Sequence, residues 1–168
     1  MRKVAMLFAA VFCLATMAGA VEYNLVPNRL ASAKPGEWAI LTNLSDPDEQ
    51  VKMTVVALDC EGNEPVVVIK RERFDADGQV ADAIERRVKL SRYQDRLDKL
   101  DQRADRISRE KMSLNDRQIT VYVVEWEDQE HDREMKIWLS HDIPVGGFLR
   151  IWSSDPEFPT YELVDCGS

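Results

Sequence analysis

The feature that most constrains the fold is a change of apolar spacing along the chain. Hydrophobic residues alternate up to residue 78, recur at steps of three and four from 79 to about 112, and alternate again to the end. A period of two sends neighbouring side chains to opposite faces of a strand, whereas steps of three and four keep them on one face of a helix. The chain therefore reads as strands, a helical segment, then strands. Glu37 to Leu44 alternates with Trp38, Ile40, Thr42 and Leu44 on one face, and Ser45-Asp46-Pro47-Asp48 turns the chain. Gln50 to Leu58 sets Val51, Met53 and Val55 on one face before the turn Asp59-Cys60-Glu61-Gly62-Asn63. Glu64 to Arg73 is rich in β-branched residues and stops at Asp75-Ala76-Asp77-Gly78. Three strands joined by tight turns make an antiparallel meander.

In the middle segment Tyr93, Leu97, Leu100, Ala104 and Ile107 fall on one helical face. Asp95 with Lys99, Glu85 with Lys89 and Asp105 with Arg109 place an anion four residues before a cation, the favourable order on a helix. A single helix over residues 79–113 would be about 50 Å long, more than the width of a sheet of this size, so either a bend near Ser91 or two helices in series is expected. Ile119 to Trp126 and Glu134 to Ser140 then form a hairpin. In the register that keeps like faces together, Val121 stands opposite Leu139, Val123 opposite Ile137 and Tyr122 opposite Trp138. Phe148 to Ser153 and Thr160 to Cys166 are the last strands. The expected architecture is α+β: a curved, half-barrel-like antiparallel sheet of about seven strands with one long helical insertion between the third and fourth.

Residues 1–20 have the organisation of a secretory signal peptide. Arg2 and Lys3 precede an apolar run from Val4 to Ala15, and Ala18-Gly19-Ala20 offers small residues at a cleavage site. The run is shorter than the roughly 20 apolar residues a membrane span needs. Residues 21–168 are then a single exported domain, periplasmic or secreted, with no transmembrane anchor after cleavage. The chain has a formal charge of −8, and losing the two leader cations makes it −10. A protein that acidic is a poor general ligand for nucleic acid or anionic membrane. Yet residues 79–112 hold 10 cations and 7 anions, so one local surface is basic.

Cleavage leaves Cys60 and Cys166, an even pair that in an exported chain is expected to form a disulfide. They lack the spacing of a redox motif or a zinc site. Ser140-His141-Asp142 has the letters of a hydrolase triad, but adjacent residues cannot converge on one hydrogen-bond relay. The acidic run Glu125, Glu127, Asp128, Glu130, Asp132 and Glu134 reads as a solvated hairpin tip, and Asp75-Ala76-Asp77-Gly78 as a turn leading into the helix. His131 and His141, the only histidines, are placed by the strand reading near one hairpin end. No catalytic residue, cofactor or metal site is expected. Two surfaces stand out instead. Trp38, Trp126, Trp138 and Trp152 all lie on strands and could line an apolar ligand groove. The stripe Tyr93, Leu97, Leu100, Ala104 and Ile107 is either core or the seam of a protein partner or a second copy.

The segment Met135-Lys136-Ile137-Trp138-Leu139-Ser140, the passage Ile143-Pro144-Val145-Gly146-Gly147-Phe148-Leu149-Arg150-Ile151, the ending Tyr161-Glu162-Leu163-Val164-Asp165 and the opening Gly36-Glu37-Trp38 resemble small exported bacterial proteins of uncharacterised type. These are similar to the half-barrel lipoprotein-localisation carriers. The resemblance implies an antiparallel sheet wrapped around a helix and brings no catalytic residues; the long charged helix departs from the carrier pattern. The sequence thus leads to a non-enzymatic exported binding or envelope-associated protein. A carrier of lipid or another apolar ligand is the alternative, and a carboxylate-dependent hydrolase ranks last.

Overall fold

The computed structural model describes residues 26–168. The expected signal peptide lies outside the described residues. Nine strands form one open antiparallel sheet: β1 (Trp38–Asn43), β2 (Asp46–Glu61), β3 (Glu64–Phe74), β4 (Val80–Lys89), β5 (Arg106–Leu114), β6 (Arg117–Asp128), β7 (Arg133–Leu139), β8 (Phe148–Ser153) and β9 (Tyr161–Gly167). Their spatial order is β4-β3-β2-β1-β9-β8-β7-β6-β5. Two meanders run outward from a shared centre, where β1 pairs with β9, to edges at β4 and β5. The helix α1 (Leu90–Arg103) links these two edges. Among the described residues no helix is long and apolar enough to cross a membrane.

The helix is therefore shorter and later in the chain than its sequence suggests. Residues 80–89 and 106–114 are strands, so the sheet has nine strands rather than about seven, and the helix follows the fourth strand, not the third. Both misread strands are sheet edges, and nearly all of β4 is exposed. An edge strand with little burial needs no apolar alternation. Its Ala, Glu, Arg and Lys residues then read as helix formers, until pairing with a neighbour overrides propensity. The Asp75 turn consequently leads into β4: the Asp75 carboxylate accepts from the N–H groups of Asp77 and Gln79, and Gly78 sits at φ +72°.

The stripe is split accordingly. Tyr93, Leu97 and Leu100 lie on α1, Ala104 caps its end, and Ile107 is on β5. All five still meet in one place, because Tyr93 and Leu97 are buried and the other three pack against the same core. That core draws Val55 from β2, Val67 from β3, Val124 from β6 and Leu139 from β7 around the helix. With its apolar face covered in this way, the stripe is core. The short 3-10 helix Arg29–Ser32 adds Leu30 to the same cluster. A second, smaller cluster of Ile119, Val121, Val123, Ile143 and Leu149 lies on the other side of β6.

The β6–β7 register is displaced by one residue from the expected one: Tyr122 faces Leu139, Val123 faces Trp138 and Val124 faces Ile137. Both sides of β6 are apolar and covered, by α1 on one and by Ile143 and Leu149 on the other. Like-with-like matching cannot choose a register when each register pairs apolar residues.

Candidate functional site

The sequence-selected residues do not assemble into a site. Trp126 packs in the helix-side core, but Trp38, Trp138 and Trp152 lie on the opposite face of the sheet, so the four line no common groove. Each of the outer three has a cation over its ring: Lys52 at 5.3 Å from Trp38, Arg150 at 5.4 Å from Trp138 and Lys136 at 5.9 Å from Trp152. These contacts occupy the ring faces that an apolar ligand would need.

Cys60 and Cys166 are free thiols, the first exposed and the second half-buried. Cys166 stands opposite Ala39, which faces Met53, and Cys60 lies seven residues further along β2. At about 3.3 Å per residue this is about 23 Å along the strand, against the roughly 7 Å that a disulfide tolerates. Sequence parity of cysteines carried no information about this separation.

Ser140 is fully buried and its hydroxyl donates to the Thr120 carbonyl at 2.7 Å, while His141 is exposed and meets the Tyr122 ring edge-on. His131 precedes β7 and His141 follows it, so the two histidines occupy opposite ends of that strand rather than one hairpin end. In the acidic run, Glu125 pairs with Lys136 at 3.0 Å, and Asp128 is held below its usual carboxylate range by hydrogen bonds from His131 and Arg133, against the upward push of desolvation. Among the described residues no three His, Cys, Asp or Glu side chains could together hold a metal ion.

A different surface combines shape with charge. Between β4 and the first half of α1 is a cleft of about 340 Å³ lined by Arg86, Arg87, Val88, Lys89, Arg92, Tyr93 and Arg96. It exists because the chain changes from strand to helix at Lys89 without leaving the sheet edge. Val88 points into the core and strand alternation sends Arg86 to the same side, while Arg87 and Lys89 face outward. On α1, Arg92 and Arg96 are four residues apart and flank the buried pair Tyr93 and Leu97.

The five cations divide into two sets. Arg87 pairs with Asp59 at 2.7 Å and Glu61 at 3.0 Å, and Lys89 with Glu61 at 3.0 Å and Glu64 at 3.4 Å. Hydrogen bonds from Arg87 and Lys89 hold Glu61 below the usual carboxylate range, and one from Arg87 does the same for Asp59. Glu64 also accepts from the Ser91 hydroxyl, and that contact is the largest cause of its lowered pKa. By contrast, among the described residues Arg86, Arg92 and Arg96 form no ion pair. The start of the helix offers no relief, since its first turn holds no acidic residue and its cap residue is Lys89. The positive end of a helix normally attracts anionic side chains.

Tyr93 forms the floor. Its hydroxyl donates to the Gly146 carbonyl at 3.0 Å, and burial pushes its pKa up to about 12, with the Arg96 charge opposing that shift. The phenol therefore stays neutral and locks α1 to a turn in which Val145, Gly146 and Gly147 all have positive φ. The one sequence signal for this site was the excess of cations over residues 79–112; their convergence required the strand-to-helix junction. No known protein family matches the chain, and neither a curated protein nor a solved structure is significantly similar to it.

Proposed function

We propose that this is an exported, non-enzymatic binding protein whose contact surface is the arginine-lined cleft between β4 and α1, and that its ligand is anionic. The single observation that carries the reading is the set Arg86, Arg92 and Arg96, which faces one cleft and forms no ion pair among the described residues, in a chain of net charge −8. Like charges held together cost free energy unless a counter-charge arrives, and the nearest carboxylate, Glu64, feels the Arg92 charge but is paired with Lys89 and the Ser91 hydroxyl. The leader-like residues 1–20 support export. Curvature of a half-barrel kind is supported by the way one core joins β2 and β3 to β6 and β7 around the helix. That same core fills the inner face where an apolar cargo would sit, which favours surface recognition over lipid carriage.

Native mass spectrometry of the protein purified from its own host tests this reading. A bound anionic species that is missing from an Arg92→Gln/Arg96→Gln variant is the expected result. A species retained by that variant, or an empty wild-type protein, would refute the cleft as the contact surface.

A further inference from the structure

We infer that the ligand recognised by this cleft presents a phosphoryl-type oxyanion of charge about −2 or more, an inference that rests on the cleft being the contact surface. Three features of the lining select it. The unpaired groups are all guanidiniums, which offer planar forks of N–H donors matched to oxyanions, whereas a lysine offers a point charge. Their charge exceeds what one carboxylate can neutralise, while a phosphomonoester carries about −1.5 to −2 on three strong acceptor oxygens. The volume of about 340 Å³ lies at the small end of ligand sites, about 300–1,000 Å³, and so fits a head group or diphosphate rather than a polymer track.

The rim adds direction. Arg87 and Lys89 are already engaged by Asp59, Glu61 and Glu64, so the outer side of the cleft is electrically closed and the inner side open. Val88 and Tyr93 are the non-cationic members of the lining and lie against the core, where they form a surface for whatever apolar group the oxyanion is attached to. The phosphoryl oxygens then face Arg86, Arg92 and Arg96. The chemistry is shared by a free phosphate compound and a phospholipid head group.

Calorimetric titration of the full chain with inorganic pyrophosphate is the direct experiment. Three proteins are compared: wild type, Arg92→Gln/Arg96→Gln, and Arg103→Gln/Lys111→Gln, which removes the same charge away from the cleft. The expected result is binding by wild type, weakening of about tenfold or more in the cleft variant, and change of less than about twofold in the control. Arg92→Lys/Arg96→Lys should recover only part of the loss, because charge returns without the fork. Equal weakening in the cleft variant and the control would show a diffuse field and overturn the site. Citrate binding as tightly as pyrophosphate would overturn the phosphoryl assignment. Flotation with phosphatidylglycerol vesicles separates the sources: binding that requires Arg92 and Arg96 identifies a head group, and pyrophosphate binding without vesicle binding identifies a free compound. Failure of both probes, alongside an Arg92- and Arg96-dependent cargo in the native mass spectrum, sinks the phosphoryl inference alone; absence of that cargo as well sinks the cleft reading with it.

Discussion

The two halves of the sheet solve the same packing problem differently. In β1–β4 one face is buried against the helix and the other is largely wet, carrying beside the buried Val66 and Val68 the ion pairs Lys70–Glu72, Arg87–Asp59, Arg87–Glu61 and Lys89–Glu61. In β6–β9 both sides are covered: Val124 and Leu139 join the helix-side core, and Val121, Val123 and Ile143 form a second one. A one-sided sheet pins its register through alternation, and charges on the wet face add little stability. A two-sided sheet gains more apolar burial but spends its alternation signal. The cleft lies at the edge where the first half meets the helix: the outer-face cations Arg87 and Lys89 are paired, while Arg86, Arg92 and Arg96 sit on the helix side.

The largest effects should come from side chains that hold the halves together or fill the second core. Leu97→Ala, at the junction of β2, β3, β6 and β7, and Ile143→Ala, nearly fully buried in the second cluster, should each cost about 2–5 kcal/mol in denaturant unfolding. Leu97→Asp should unfold the protein; a smaller but folded particle would instead revive the helix as an association seam. If Ile143→Ala is neutral, the second core is not a core and the comparison fails.

Next comes Gly147. It sits at φ +79°, and an added Cβ would stand 2.6 Å from the Ser140 carbonyl oxygen, so Gly147→Ala should cost about 1–3 kcal/mol by forcing the turn that covers the two-sided half. Denaturant midpoints measure it directly.

Tyr93 connects the halves through its bond to Gly146, and its titration gives a pH signature. The folded pKa of about 12 is raised from an ordinary value of 10.0, so the contribution of the neutral phenol is fully present below pH 10 and is lost as pH rises toward 12. Stability should fall by about 2–3 kcal/mol over that window. Tyr93→Phe should lose this part of the slope and, at neutral pH, about 1 kcal/mol for the missing hydrogen bond. An unchanged slope in Tyr93→Phe would place the alkaline transition elsewhere.

The smallest effects belong to the wet half. Arg87→Ala should leave the melting midpoint unchanged within error, since exposed pairs contribute little. In unreduced protein both cysteines should react with a thiol reagent, the exposed Cys60 quickly and Cys166 slowly, because Cys166 is half-buried and burial raises its pKa. Recovery of no free thiol would reinstate the disulfide and require a different placement of β9.

How much was legible in advance follows the same division. The meander β1–β3 and its turns were readable because β-branched residues and Gly or Asp turns alternate there. Even so, the set Trp38, Ile40 and Thr42 faces outward, while Ala39, Leu41 and Asn43 are buried. The hairpin β6–β7 was readable as two strands and unreadable in register. The edges β4 and β5 read as helix in the sequence because an exposed strand shows its composition rather than its pairing. Of the candidate site, only the local cationic excess was visible.

Period and composition by themselves determined that this chain is mostly antiparallel strand, that a helical stripe runs through Tyr93, Leu97 and Leu100, and that cations gather around it. These are properties of nearest neighbours, which local geometry expresses without help from the rest of the molecule. Tertiary structure alone decided that the stripe is core, that the cysteines lie far apart, that the tryptophans divide between faces, and that three of those arginines meet in one cleft with no ion pair among the described residues. Each of these depends on which strands stand beside one another, and strand order arises from the burial of one shared core, a quantity no short stretch of sequence contains.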